Sequence, residues 1–332
     1  MPRQVRILRE ADIRAALTMA ACIEACEAAF ARYSTGMAST PTVISLDIPE
    51  QGATVHVKAG HVSEQPYFAI KVASGFPRNL THGMPANGGL VLAFDARTGE
   101  PAAFLLDNGY ITDLRTGAAG GVAARHLARK DTRTVAVIGT GAQARYQLDA
   151  LAEVLPSVAE VRLWGRDGER AAACAADLRA RRHLPPGCTV TVVEDIRAAV
   201  DGADVVITCT ASTSPLIRAE WLAPGAHVTA LGSDDVGKQE LDAAVLAAAD
   251  LVVVDSRAQC AVFGELQHAV GAGLIRAEDA VELGEICAGS RPGRTSDEQL
   301  TVCDLTGVGV QDVAAANVVM AGAAGMGDTL EI

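Results

Sequence analysis

Beyond residue 133 the hydrophobic positions come in short runs separated by helical stretches. The runs are TVAVIG (134–139), EVRLWG (160–165), TVTVVE (189–194), DVVITCT (204–210), HVTALG (227–232) and LVVVDS (251–256). Short apolar runs of this kind read as strands, and their alternation with helices predicts a parallel sheet covered on both faces. The first part of the chain has a different rhythm. Residues 6–34 read as helix, rich in Ala, Glu and Leu, with Thr18 as an alternative cap for a second helix over 20–34. STGMASTP (34–41) is a loop. TVISLDI (42–48), ATVHVKA (53–59), YFAIKVA (67–73), GLVLAFD (89–95) and PAAFLLD (101–107) then read as strands, separated by the turn signals PEQG, SEQP and ARTGEP. That block predicts an antiparallel or mixed sheet. ITDLRTGAAGGVAARHLARK reads as one long helix with Thr112 or Asp113 near its start as cap. The strand LTVCDLTG precedes a last helix at about 311–324. The expected fold class is α/β. A doubly wound domain over 119–310 interrupts a second domain built from 1–118 and the returning segment 311–332.

Composition narrows the function classes. About half of the 332 residues are hydrophobic and only 4% are aromatic, which suits closely packed helices and sheets rather than a disordered chain. No apolar run approaches the roughly 18 residues that span a bilayer. The opening MPRQVRILREADIR is charged and lacks the apolar core of a signal peptide, so a soluble cytoplasmic protein is expected, with no membrane partner. The net charge of −12 opposes nucleic-acid binding. None of the eight cysteines forms a CxxC pair, which fits reduced thiols. The seven histidines form no HxxxH or HExxH, so no metal site is expected.

One motif carries chemistry on local grounds. VAVIGTGAQA (135–144) contains Gly139-x-Gly141-x-x-Ala144 where a strand ends and a helix begins. Gly139 permits the tight turn, Gly141 lets the backbone approach a pyrophosphate, and the helix start offers unpaired N–H groups. A nicotinamide dinucleotide is the expected ligand. The second strand ends VRLWGRD; Asp167 suits the ribose hydroxyls of NAD, whereas Arg166 suits the 2′-phosphate of NADP. NAD is the first expectation and NADP stays open. The loops TASTSP (210–215) and LGSDD (231–235) follow the fourth and fifth strands, on the edge where such sheets bind ligands. Lys71, inside YFAIKVA, is ambiguous: a lysine on a solvated strand face is ordinary, and one whose head enters a pocket is a site.

Several segments together resemble the ornithine cyclodeaminase/mu-crystallin family over essentially the full length. They are IKVASGFPRN, FDARTGEP, ITDLRTGAA, VIGTGAQA, LGSDDVGKQELD, GELQHAV and DLTGVGVQD. The likeness runs to the ectoine-utilisation and iminosuccinate-reductase branches, which carry a similar lysine thirteen residues before the strand lysine, as Lys58 precedes Lys71. The resemblance implies a Rossmann domain paired with a dimerisation and substrate domain, hence a homodimer. It implies hydride transfer between a nicotinamide and the α-carbon of a small amino acid, possibly dicarboxylic, through an imine. By the same resemblance Lys71 and Arg115 bind substrate carboxylate and Thr116 reaches a cofactor phosphate. Asp234 positions the amine, and Lys71 and Asp234 are the catalytic candidates. Lys58 is a further substrate cation. The cofactor set comprises Arg115, Thr116, Gly139, Gly141, Ala142, Gln143, Arg166, Asp167, Thr210, Ala211, Ser212, Gly232, Ser233 and Gly307. Many members carry an arginine shortly after a proline at the first strand. Here the stretch is Pro41-Thr42-Val43-Ile44, which weighs against an ornithine-type carboxylate clamp. An imine reductase or amino-acid dehydrogenase is therefore the leading expectation. A cyclodeaminase without net redox change and a non-catalytic, crystallin-like nucleotide binder are the alternatives.

Overall fold

The computed structural model describes residues 4–181 and 183–331. It opens with a strand, β1 (Gln4–Arg9), followed by α1 (Glu10–Ala16) and α2 (Met19–Ser34). The helix expected from residue 6 is thus corrected at its start, because β1 is recruited as a sheet strand by long-range pairing that local propensity does not register. Thr18 does cap a separate helix: its hydroxyl accepts the Ala21 N–H at 3.3 Å. Four short or medium strands follow, β2 (Ala38–Ser39), β3 (Ile44–Ile48), β4 (Ala53–Val62) and β5 (Tyr67–Gly75), then β6 (Asn87–Asp95) and β7 (Pro101–Leu106). The next helix, α3 (Tyr110–Leu127), begins before Thr112 and Asp113. Its cap is Asp107, whose Oδ2 accepts the Ile111 N–H at 2.8 Å. Asn108 and Gly109 take positive φ between cap and helix, and α3 starts one residue before the run read from the sequence.

The alternating part runs β8 (Thr134–Ile138), α4 (Ala142–Val154), β9 (Glu160–Trp164), α5 (Gly168–Arg181), β10 (Thr189–Val192), α6 (Ile196–Val200) and β11 (Val205–Thr208). It continues through β12 (Thr213–Ile217), β13 (His227–Ala230), β14 (Gln239–Leu241), α7 (Ala243–Ala248), β15 (Leu251–Val254), α8 (Arg257–Cys260) and α9 (Glu265–Gly271). It closes with β16 (Val281–Glu282), α10 (Leu283–Cys287) and β17 (Thr301–Asp304). Then come α11 (Gly309–Gly322), two residues earlier than expected, and β18 (Asp328–Glu331).

Two compact units result: residues up to Arg115 together with the segment from Val308, and Thr116–Gly307. In the second unit the sheet order is β10-β9-β8-β11-β13-β17-β15-β16, and every pair is parallel. Val135, Ala136, Val137 and Ile138 are all buried, as a strand covered on both faces requires. The chain reverses direction of strand addition between β8 and β11, which opens a crevice at their carboxyl ends. β12 and β14 form a separate two-stranded ladder outside the main sheet, which the hydrophobic pattern did not reveal.

The first unit is a mixed sheet in the order β18-β1-β7-β6-β5-β4-β2, with β3 on β4. One face carries α11, which packs on β4, β5 and α2. The approach is close: a Cβ on Gly309 would lie 2.3 Å from the Ala59 carbonyl oxygen, so only glycine fits there. The other face stays apolar and open. Ile44 and Leu46 are 63% and 59% exposed, Phe104 and Leu106 are exposed too, and Phe68 stacks on Phe94. Among the described residues no helix is long and apolar enough to cross a membrane.

Candidate functional site

The first unit concentrates cations on the helix-covered face of its sheet. Lys71 lies directly opposite Lys58 across the β4–β5 ladder and opposite Val91 across β5–β6. Facing residues of an antiparallel pair project to the same side, so Lys58 and Lys71 share a face. Lys71 is 2% exposed, and its Nζ donates to Asp312 Oδ1 at 3.0 Å. Arg115, from the second turn of α3, donates through Nε to the same oxygen at 3.1 Å. Its Nη1 also donates to Gln311 Oε1 at 3.3 Å. Gln311 and Asp312 belong to the first turn of α11, and Gln311 Nε2 donates back to the Arg115 carbonyl. Asp312 Oδ2 is buried and has no hydrogen-bond partner among the described residues.

The electrostatics follow from this crowding. Burial, then the Arg115 charge, push Lys71 down to about 7; Asp312 pulls it up and Lys58 adds to the depression. Burial acts to raise Asp312, but Lys71, Arg115 and Lys58 outweigh it and hold the carboxyl below its ordinary value. One carboxylate oxygen thus accepts from both Lys71 and Arg115, and the Lys58 charge also acts on it. Asp107, also buried, is pushed up to about 6 by desolvation, against the N–H groups that it caps. Neither Asp312 nor Asp107 was a sequence candidate. A signal existed for Asp312, since it is the sole charged residue in the helical run GVQDVAAANVVMAG.

The second unit builds a cradle at the crevice. Gly139 has φ +132°, and a Cβ there would lie 2.7 Å from the Cys209 carbonyl oxygen, so the turn is restricted to glycine. Gly141 precedes α4, and a Cβ on it would meet nothing within 4 Å. Open space therefore adjoins the helix N-terminus, where backbone N–H groups lack intrahelical partners. A cavity of about 380 Å³ is lined by Gly139, Gly141, Arg166, Asp167, Thr210, Ala211 and Ser212, and also by Trp164, Arg170 and Cys209. Seven of the sequence candidates are thereby brought together. Asp167 also caps α5, its Oδ1 accepting the N–H groups of Glu169 and Arg170 at 3.0 and 3.1 Å.

The remaining candidates lie elsewhere in that unit or serve local roles. Ala142 and Gln143 form the first turn of α4. The Thr116 carbonyl accepts Gln147 Nε2 at 2.9 Å. Ser233 is buried, its hydroxyl donating to the carbonyls of Lys238 and Phe263. Gly307 has φ +81°, and its N–H donates to Asp255 at 2.6 Å. The Gly232 N–H goes to Glu240, a residue that the sequence reading missed. Asp234 is 49% exposed and pairs with Lys238 at 2.6 Å. It belongs to the second unit, whereas Lys58, Lys71 and Arg115 belong to the first.

The model of the ornithine cyclodeaminase/mu-crystallin family matches residues 3–326. A Rhizobium meliloti protein that carries a dehydrogenase name is 44% identical over 332 residues, 99% of each chain. An archaeal alanine dehydrogenase, solved as a dimer with bound NAD, superposes with a TM-score of 0.90 at 34% identity, covering 99% of this chain and 100% of that one. The iminosuccinate reductase of Paracoccus denitrificans, solved with NAD+, gives a TM-score of 0.88 at 34% identity, with coverage of 99% and 100%.

Proposed function

The chain belongs to the ornithine cyclodeaminase/mu-crystallin family, and on that premise we propose that it is a nicotinamide-dependent imine reductase or amino-acid dehydrogenase acting on a small dicarboxylic amino acid. The observation that carries the substrate class is the shared face of Lys58 and Lys71, with Arg115 and Asp312 beside them. Two like charges directly opposite in a ladder repel, and an anionic ligand between them relieves that repulsion. A diacid offers a second carboxylate to the face that carries Lys58, and a monoacid such as alanine does not.

The second unit fits a dinucleotide on its own geometry: the glycine-restricted turn, the open space at Gly141 and the N-terminus of α4 form an anion cradle. When bound, the nicotinamide supplies or accepts the hydride. The protein residues do the rest. Arg115 grips one carboxylate and fixes its orientation through a planar guanidinium. Asp312 spaces Arg115 and Lys71 so that both heads stay oriented. Lys71, at about 7, can hold or release a proton at Nζ near neutral pH, as a general acid for an imine nitrogen must. Asp234 remains the candidate partner for the substrate amine. The apolar outer sheet face, with Ile44, Leu46, Phe104 and Leu106, is the proposed homodimer surface.

The deciding experiment follows nicotinamide absorbance and ammonia together. NADH and NADPH are each offered with oxaloacetate plus ammonia and with pyruvate plus ammonia. In reverse, NAD and NADP are offered with aspartate, alanine and ornithine. Stoichiometric absorbance change with a preference for the diacid is expected. Ammonia released from ornithine without net absorbance change would make the protein a cyclodeaminase instead.

A further inference from the structure

Glu240 was absent from the sequence candidates, yet it holds the two loops that border the crevice. It is fully buried on β14. Its Oε1 accepts both the N–H and the hydroxyl of Thr210, at 2.5 and 2.7 Å, and its Oε2 accepts the Gly232 N–H at 2.8 Å. Thr210 follows β11 and Gly232 follows β13, neighbouring strands of the parallel sheet. One carboxylate thus ties together the ends of two strands. The grip extends in both directions. The Thr210 hydroxyl accepts the Ser212 N–H at 3.2 Å, shaping the segment 210–212 that lines the cavity. On the other side Gly232 leads into Ser233 and Asp234. A Cβ on Gly232 would lie 2.1 Å from the Thr210 carbonyl oxygen, so the two loops are in direct contact there.

Glu240 is itself held. Glu265, from α9, accepts the N–H groups of Glu240 and Leu241 at 2.7 and 3.1 Å. The donors on Glu240 are two backbone N–H groups and a hydroxyl, and no cation takes part in these contacts. A buried acid with donors arranged in this way is costly to place and sensitive to the loss of any one of them.

We propose that Glu240 is a positioning residue that couples occupancy of the crevice by a dinucleotide to the order of the loop 232–238 carrying Asp234. The inference rests on the dinucleotide reading of that crevice. A dinucleotide settling against 210–212 restrains Thr210; Thr210 restrains the carboxylate; the carboxylate restrains Gly232 and the residues after it.

The test is binding of NADH and NADPH, followed by their fluorescence, combined with hydrogen exchange of peptides spanning 232–238, with and without the nucleotide. In the unaltered protein, binding should slow exchange there. Glu240→Gln keeps one acceptor oxygen, which can serve both Thr210 donors, and turns an amide NH₂ toward the Gly232 N–H. Its nucleotide Kd should therefore rise only a few-fold, while the ligand-induced protection of 232–238 disappears. Glu240→Ala frees both loops and should raise Kd by tenfold or more; if it does not fold, Glu240→Gln carries the test alone. A purely structural role would lower Tm yet leave the ligand-induced protection intact, which would overturn the coupling. Should the unaltered protein bind neither nucleotide, the dinucleotide reading itself fails, and this inference with it.

Discussion

The two units bury ionisable groups of opposite kind, bases in one and acids in the other, and satisfy them in different ways. The first buries Lys71 and Arg115 against Asp312, with Lys58 across the ladder. The second buries Glu240, Glu265, Asp255 and Asp304, which lean on backbone N–H groups of the neighbouring loops, of β14 and of α9. A backbone N–H is fixed in place and completes a structural bond, so the acids of the second unit shape loops. In the first unit side chains meet side chains, Lys71 and Arg115 sharing one oxygen of Asp312 with Lys58 on the same face, and that is the arrangement we propose for a ligand. Buried charge met by backbone reads as architecture, and buried charge met incompletely by side chains reads as a site.

The largest test of this contrast removes the shared carboxylate. Asp312→Asn should cost about 3–5 kcal/mol of stability, because it strands two buried cations. Urea unfolding measures it, and a loss under 1 kcal/mol would mean that the cations are already compensated. Lys71→Met should cost roughly 2–5 kcal/mol in kcat/KM for the diacid, thirtyfold or more, while nucleotide affinity stays unchanged. Equal losses in both would assign Lys71 to folding.

The pH response comes next and has opposite signs in the two units. Burial, with the Asp304 charge, pushes Glu265 up to about 9, and burial pushes Asp304 up to about 7. Both acids keep protons that the unfolded chain has released, so stability of the second unit falls as pH rises toward 9. Lys71, lowered to about 7, is neutral where the unfolded lysine is still charged, so it adds stability to the first unit as pH rises from 7 to 9; above that the Cys26 thiol, pushed well up by its bond to Cys22 and by burial, works the other way. Exchange protection, corrected for intrinsic rates, should therefore fall with pH in β13 and β17 and rise in β4 and β5. Movement in the same direction would break the comparison. The smallest effect belongs to Lys58→Met. It should reduce the preference for a diacid over a monoacid by about 1 kcal/mol, several-fold, since this lysine is only half-buried. An unchanged preference would remove Lys58 from the substrate site.

Much of this was legible in the chain itself. Short apolar runs and the turn at Gly139–Gly141 pointed to the parallel unit and to the cradle proposed for the nucleotide, because both are local: a strand buried on both faces and a glycine turn depend on consecutive residues. Thr18 as a cap was legible for the same reason. β1 was not, since its pairing with β7 and β18 outweighs its helix-like composition. The ambiguity of Lys71 was real at the level of sequence. Its neighbours permit either face. Only the hairpin register, which sets Lys58 opposite it, and a carboxylate 241 residues away, Asp312, decide that it is buried. Glu240 stayed hidden because its partners, Thr210 and Gly232, become neighbours only when β11 and β13 pair. The sequence by itself determined most of the elements and the class of cofactor, through interactions that act within a few residues. The tertiary structure alone decided which charges meet, because burial and pairing across strands are properties of the folded chain.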